Sequence, residues 1–138
     1  MKKYEFNNKL LCILYRKNDW VKGLNFITED EHFIQAGSWW YDKGKILDSH
    51  THNEFPRTAM RTQESVYVVQ GSMKVTLFTE DHKFIEEYIM NEGDLAIFVY
   101  GGHGYEILDD NTKIIETKNK IEKNLKDYRF DEAAKNAY

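Results

Sequence analysis

The sequence predicts an all-β fold, a sandwich or barrel in one domain, on three observations. Short apolar runs recur at close spacing between residues 33 and 118. Turn-forming clusters separate them: Lys43-Gly44, Gly71-Ser72, Glu80-Asp81-His82-Lys83, Asn91-Glu92-Gly93-Asp94, Gly101-Gly102 and Asp109-Asp110-Asn111. One run alternates cleanly, with Met73, Val75 and Leu77 on one face and Lys74 and Thr76 on the other. Six to eight short strands at this spacing are the pattern of a sandwich or barrel. A chain of 138 residues supports a single core, and no Ser- or Gly-rich linker divides it.

Taken in order, Leu10 to Tyr15 reads as a strand behind an Asn-Asn turn. Phe33 to Tyr41 carries Trp39 and Trp40, and Ile46 to His52 follows the Lys43-Gly44 turn. Glu64 to Gln70 and Met73 to Thr79 come next, and the Glu80–Lys83 tip leads to a return strand from Phe84 to Met90. Leu95 to Tyr100, His103 to Leu108 and Thr112 to Lys118 complete the set. Beyond Lys118 the period becomes helical: Ile121, Leu125 and Tyr128 stand at i, i+4 and i+7, enough for a short packed helix or a tail.

The 19 basic and 23 acidic side chains are mixed along the chain, for a net charge of −4. Without a basic stripe, neither nucleic acid nor a polyanionic membrane surface is an expected partner. Cys12 is the only cysteine, which excludes an intrachain disulfide and fits a reducing compartment. Met1-Lys2-Lys3 resembles the start of a signal peptide. Asn7, Asn8 and Lys9 interrupt it, and the apolar run that follows is too short for a secretory core. A cytoplasmic location is expected, as is a homodimer through the terminal segments.

The stretch SHTHNEFPRTAMRTQESVYVVQG, from Ser49 to Gly71, places His50 and His52 one residue apart. On a strand both rings project to the same face, roughly 6–7 Å apart at the usual rise, and can converge on one metal ion. Glu64 shares its face with Val66 and Val68, so its carboxylate is expected to point inward; Gln63, on the other face, is the alternative ligand. His103 follows the Gly101-Gly102 turn and shares a face with Tyr105. Three imidazoles and a carboxylate form a mixed N/O set suited to Fe, Mn, Ni, Co or Zn.

This spacing resembles the cupin superfamily, whose first motif runs G(X)5HXH(X)3–4E(X)6G. Gly44, His50, His52, Glu64 and Gly71 follow it, except that eleven residues, Asn53 to Gln63, separate His52 from Glu64. The second motif, G(X)5PXG(X)2H(X)3N, is looser here. Gly93, Asp94 and Gly101 fit it, Val99 stands at the proline position, His103 comes one residue early, and Ile107 replaces the asparagine. The resemblance covers about residues 33 to 118. It implies a double-stranded β-helix, or jelly-roll, barrel with a divalent metal held by His50, His52, Glu64 and His103.

Resemblance to small single-domain cupins further implies isomerase or epimerase, dioxygenase, decarboxylase or lyase chemistry on a small molecule, with an associational link to polysaccharide or nucleotide-sugar metabolism. A non-catalytic sugar- or acid-binding module is the rival expectation. Arg57 and Arg61, in the insertion beside the ligand candidates, can clamp a carboxylate or phosphate. Trp39 or Trp40, Tyr100 and Tyr105 can line the pocket. Tyr67 and Tyr105 are the candidate catalytic groups outside the metal shell. Gln63 is expected to contact substrate as well. His32 and His82 are expected on the surface, and Glu106 is expected to face outward.

Overall fold

The computed structural model describes residues 1–119, and the C-terminal helical reading at Ile121, Leu125 and Tyr128 lies outside them. Ten strands run in order: β1 (Lys2–Phe6), β2 (Lys9–Tyr15), β3 (Gly23–Phe26), β4 (Gly37–Trp40), β5 (Glu64–Gln70), β6 (Ser72–Phe78), β7 (Phe84–Asn91), β8 (Leu95–Phe98), β9 (Gly102–Ile107) and β10 (Lys113–Lys118). The class is all-β, and the pairings are antiparallel throughout. Among the described residues no helix is long and apolar enough to cross a membrane.

The strands form a five-stranded sheet, β1-β2-β8-β5-β10, a three-stranded sheet, β7-β6-β9, and a two-stranded ribbon, β3-β4. Alternation decides which faces meet. Val66 and Val68 of β5, Met73, Val75 and Leu77 of β6, Tyr88 and Met90 of β7, and Ala96 and Phe98 of β8 gather in one core with Cys12 and Leu14. At about 1.5–3 kcal/mol for each large aliphatic side chain removed from water, this layer dominates the stability of the fold.

β2 is buried on both faces, which is why it reads as a continuous apolar run rather than an alternating one. Leu11, Cys12 and Leu14 face the main core. Ile13 and Tyr15 face the other way and pack with Ile27 and Ile97. The Tyr15 and Ser38 hydroxyls, 2.9 Å apart, tie the β3-β4 ribbon to this side. Burial pushes the Cys12 thiol up to about 12, only partly offset by Tyr88 and the Ile97 backbone. It therefore behaves as a small core residue.

Three elements depart from the sequence reading. β1 and β3 were not expected; β1 pairs with β2 across the Asn7-Asn8 turn, where both residues take positive φ. Conversely, the strand expected from Ile46 to His52 is absent. Residues 41–63 form no strand, and Ile46 stands 81 % exposed. Ile46 and Leu47 are adjacent rather than alternating, so a strand here would have to expose one of them on its polar face.

Candidate functional site

A cavity of about 630 Å³ opens where β5, β8, β9 and β10 meet the β6-β7 hairpin. Glu64, His103 and Tyr105 bring their polar groups together there, with Phe98, Tyr100 and Arg61 also on the wall. Register sets this up. Glu64, the first residue of β5, lies opposite Phe98 of β8 and Lys118 of β10. His103 and Tyr105 alternate along β9, opposite Leu77 and Val75 of β6.

The Tyr105 hydroxyl donates to Glu64 Oε1 at 2.7 Å. His103 Nε2 lies 3.5 Å from the same oxygen, and Lys118 Nζ lies 3.9 Å from Oε2. The His103 ring stacks on Phe98, with centroids 4.1 Å apart and an interplanar angle of 26°. Burial alone would raise the Glu64 carboxyl. Hydrogen bonding with His103 and Tyr105 and the Lys118 charge outweigh it, and the group is held below the ordinary carboxylate value.

Tyr105 is partly exposed, and its hydroxyl meets Glu64 at the cavity. Burial, reinforced by the bond to Glu64, pushes the phenol far above its usual value. It is thus a fixed donor, and Glu64 a fixed anion.

Gly101 shapes the mouth. Its φ is +75°, and a Cβ there would run into the Phe78 carbonyl oxygen. Only glycine lets the turn fold back this closely between Tyr100 and His103.

Other sequence candidates fall elsewhere. His50 and His52 are exposed in the strandless segment, their rings edge to face at 4.9 Å, with the His50 Nδ1 atom 3.1 Å from the Asp48 carbonyl oxygen. Gln63 is buried, its side-chain oxygen accepting from the Phe33 and Ile34 amides at 2.8 and 3.2 Å, so its carbonyl is committed to the backbone. Arg57 lies over the Phe55 ring in a separate shallow depression. Trp39 is 60 % exposed on the ribbon, and Tyr67 is exposed on β5 opposite Leu95 and Ile115. Glu106 faces out and pairs with Lys74 at 2.5 Å.

The donors therefore meet in pairs. Two ligands held at about 2.1 Å by one ion stand roughly 3–3.5 Å apart, a span that Glu64 Oε1 and His103 Nε2 match. The His50 and His52 rings touch each other edge to face, away from the cavity wall. Among the described residues no three His, Cys, Asp or Glu side chains meet closely enough to hold an ion.

Sequence reasoning missed Glu80, His82 and Lys118 as wall residues. The first two sit on the hairpin tip, which reads as solvent-exposed because sequence does not show that the tip folds beside the cavity.

No family model matches the chain, and no solved structure matches it. A curated protein, the valine–tRNA ligase of Pelagibacter ubique (strain HTCC1062), is 92 % identical over 26 residues. That stretch is 19 % of this chain and spans only 3 % of the ligase, too little of either to define a shared fold.

Proposed function

We propose that the chain is a small cupin-like protein with a jelly-roll barrel, whose pocket takes a divalent ion and a small anionic, sugar-like molecule. The observation that carries this reading is the Glu64–His103 pair inside a cavity whose wall also bears the cations of Arg61 and Lys118. Glu64 and His103 would hold Fe, Mn, Ni, Co or Zn; His50 and His52 lie outside the cavity wall, and the 41–63 segment would have to fold over the mouth for them to supply the remaining donors. Bound there, the ion supplies an open position that polarises a carbonyl or acidifies a hydroxyl.

The chain's own residues have separate tasks. Arg61 and Lys118 attract and orient the anionic group, and Phe98 and Tyr100 offer ring faces to a sugar-like body. Tyr105 holds the Glu64 carboxylate in one orientation and stays protonated while doing so. In this reading the protein is an enzyme of the isomerase or epimerase, dioxygenase or lyase type, serving polysaccharide or nucleotide-sugar metabolism. The exposed Leu24, Phe26 and Trp39 of the ribbon support a homodimer.

One observation favours a binding module without chemistry: both Glu64 oxygens already have partners, which leaves no dedicated base beside the ligand. Turnover of a sugar substrate by metal-loaded protein separates the two readings. The metal itself is tested by elemental analysis after purification. Wild-type protein is expected to carry close to one ion per chain, and His50→Ala with His52→Ala to lose most of it. Equal metal content in both would place the ligands elsewhere.

A further inference from the structure

The cavity mouth carries a contact network in which the chain supplies its own anion. Arg61 lies with its guanidinium 3.9 Å above the Tyr100 ring centroid. Its two terminal nitrogens, Nη1 and Nη2, both donate to Glu80 Oε1, at 3.2 and 3.1 Å. The other Glu80 oxygen accepts from the Tyr100 hydroxyl. That hydroxyl in turn accepts from Lys9 Nζ at 2.7 Å. The Asn119 side chain donates to the Arg61 carbonyl oxygen at 3.0 Å, fixing the backbone from which the guanidinium projects.

A guanidinium so held is a preformed receptor for an oxyanion, since its paired N–H donors match a carboxylate or phosphate edge. Yet Glu80 engages both nitrogens through a single oxygen, leaving the two-oxygen match of a paired fork unmade. The pair is also exposed, at 38 % for Arg61 and 53 % for Glu80. Ion pairs in that setting are weak and exchange readily. The Tyr100 hydroxyl, followed by Arg61, keeps the Glu80 carboxyl below its ordinary value, so the occupant stays charged.

We propose that Arg61 is the anion receptor of the pocket and that Glu80 is a built-in competitor, which an incoming small-molecule carboxylate or phosphate must displace from the guanidinium. The inference rests on the pocket taking an anionic molecule. It adds that the β6-β7 hairpin tip sets the concentration at which that molecule enters. An anion lacking the strength to replace Glu80 is excluded, and a two-oxygen ligand gains the fork geometry that Glu80 does not use.

The test is a nuclear magnetic resonance titration of the full chain with inorganic phosphate and, in a second arm, with succinate. The Arg61 Nε–H signal and the Gly101 and Gly102 amides report on the mouth. Glu80→Gln is expected to lower the midpoint roughly two- to fivefold, the scale of an exposed ion pair. The stronger arm identifies the preferred oxyanion. In an Arg61→Ala background the gain should vanish, because the competitor then has no receptor to block. Glu80 is exposed on a turn, and Glu80→Ala provides a second variant with the same expectation. Equal midpoints for wild type and both Glu80 variants, with binding seen in each, would overturn the competitor while leaving the anion pocket standing. An absence of shifts at these positions in every protein would overturn the anion pocket, and the competitor with it.

Discussion

Glu64→Gln is expected to weaken divalent metal binding by at least about a hundredfold, measured by calorimetry with Ni(II) or Zn(II). The change keeps the volume and the Tyr105 hydrogen-bond acceptor but removes the anion. A neutral amide oxygen is a poor substitute for a carboxylate opposite a divalent charge, and altering only the outer partners of a ligand commonly reduces affinity 10–100-fold or thereabouts. Loss of the ligand's own charge therefore belongs at or beyond the top of that range. The fold should survive, since Lys118 keeps its 2.7 Å ion pair with Glu116. Unchanged affinity would remove Glu64 from the metal site.

Gly101→Ala is expected to destabilise the protein by about 3 kcal/mol, enough to lower the melting temperature by roughly 10 °C for a domain of this size. Two costs combine. An L-residue at φ +75° is strained, and the added Cβ has the Phe78 backbone oxygen in its path, which cannot swing aside as a side chain would. Gly23→Ala is the internal control. Its φ is +95°, but nothing lies within 4 Å of the new Cβ, so it carries the strain alone and about 1 kcal/mol is expected. Similar losses for both would mean that the Gly101–Phe78 approach is not a close one.

The strands from β5 to β10 were legible to within a residue or two because alternation and core contact coincide in them. Met73, Val75 and Leu77 all reach the main core, as do Val66 and Val68. β1 was hidden for the opposite reason. Of its five residues only Tyr4 is buried, and a single apolar position carries no period. The β3-β4 ribbon buries Ser38 while exposing Phe26 and Trp39, an inversion that hydrophobic patterning cannot anticipate.

The site was legible where it depends on strand parity. Glu64 is buried on the Val66 face, and His103 joins it because Glu64 opens β5 and His103 stands second in β9, both at the cavity. The His50–His52 spacing depends on a strand that residues 46–52 do not form, so the reasoning that placed both rings on one sheet face does not apply there. Gln63 illustrates a different limit. It precedes β5, and its burial comes from receiving two backbone N–H groups of a distant loop, a long-range contact that no local pattern encodes.

Anomalous diffraction from crystals grown with Ni(II) or Co(II) tests the central claim most directly. One peak is expected in the cavity, within about 2.0–2.2 Å of a Glu64 carboxylate oxygen and of His103 Nε2. A peak confined to other residues, or none in the cavity of crystals soaked to saturation, would contradict it.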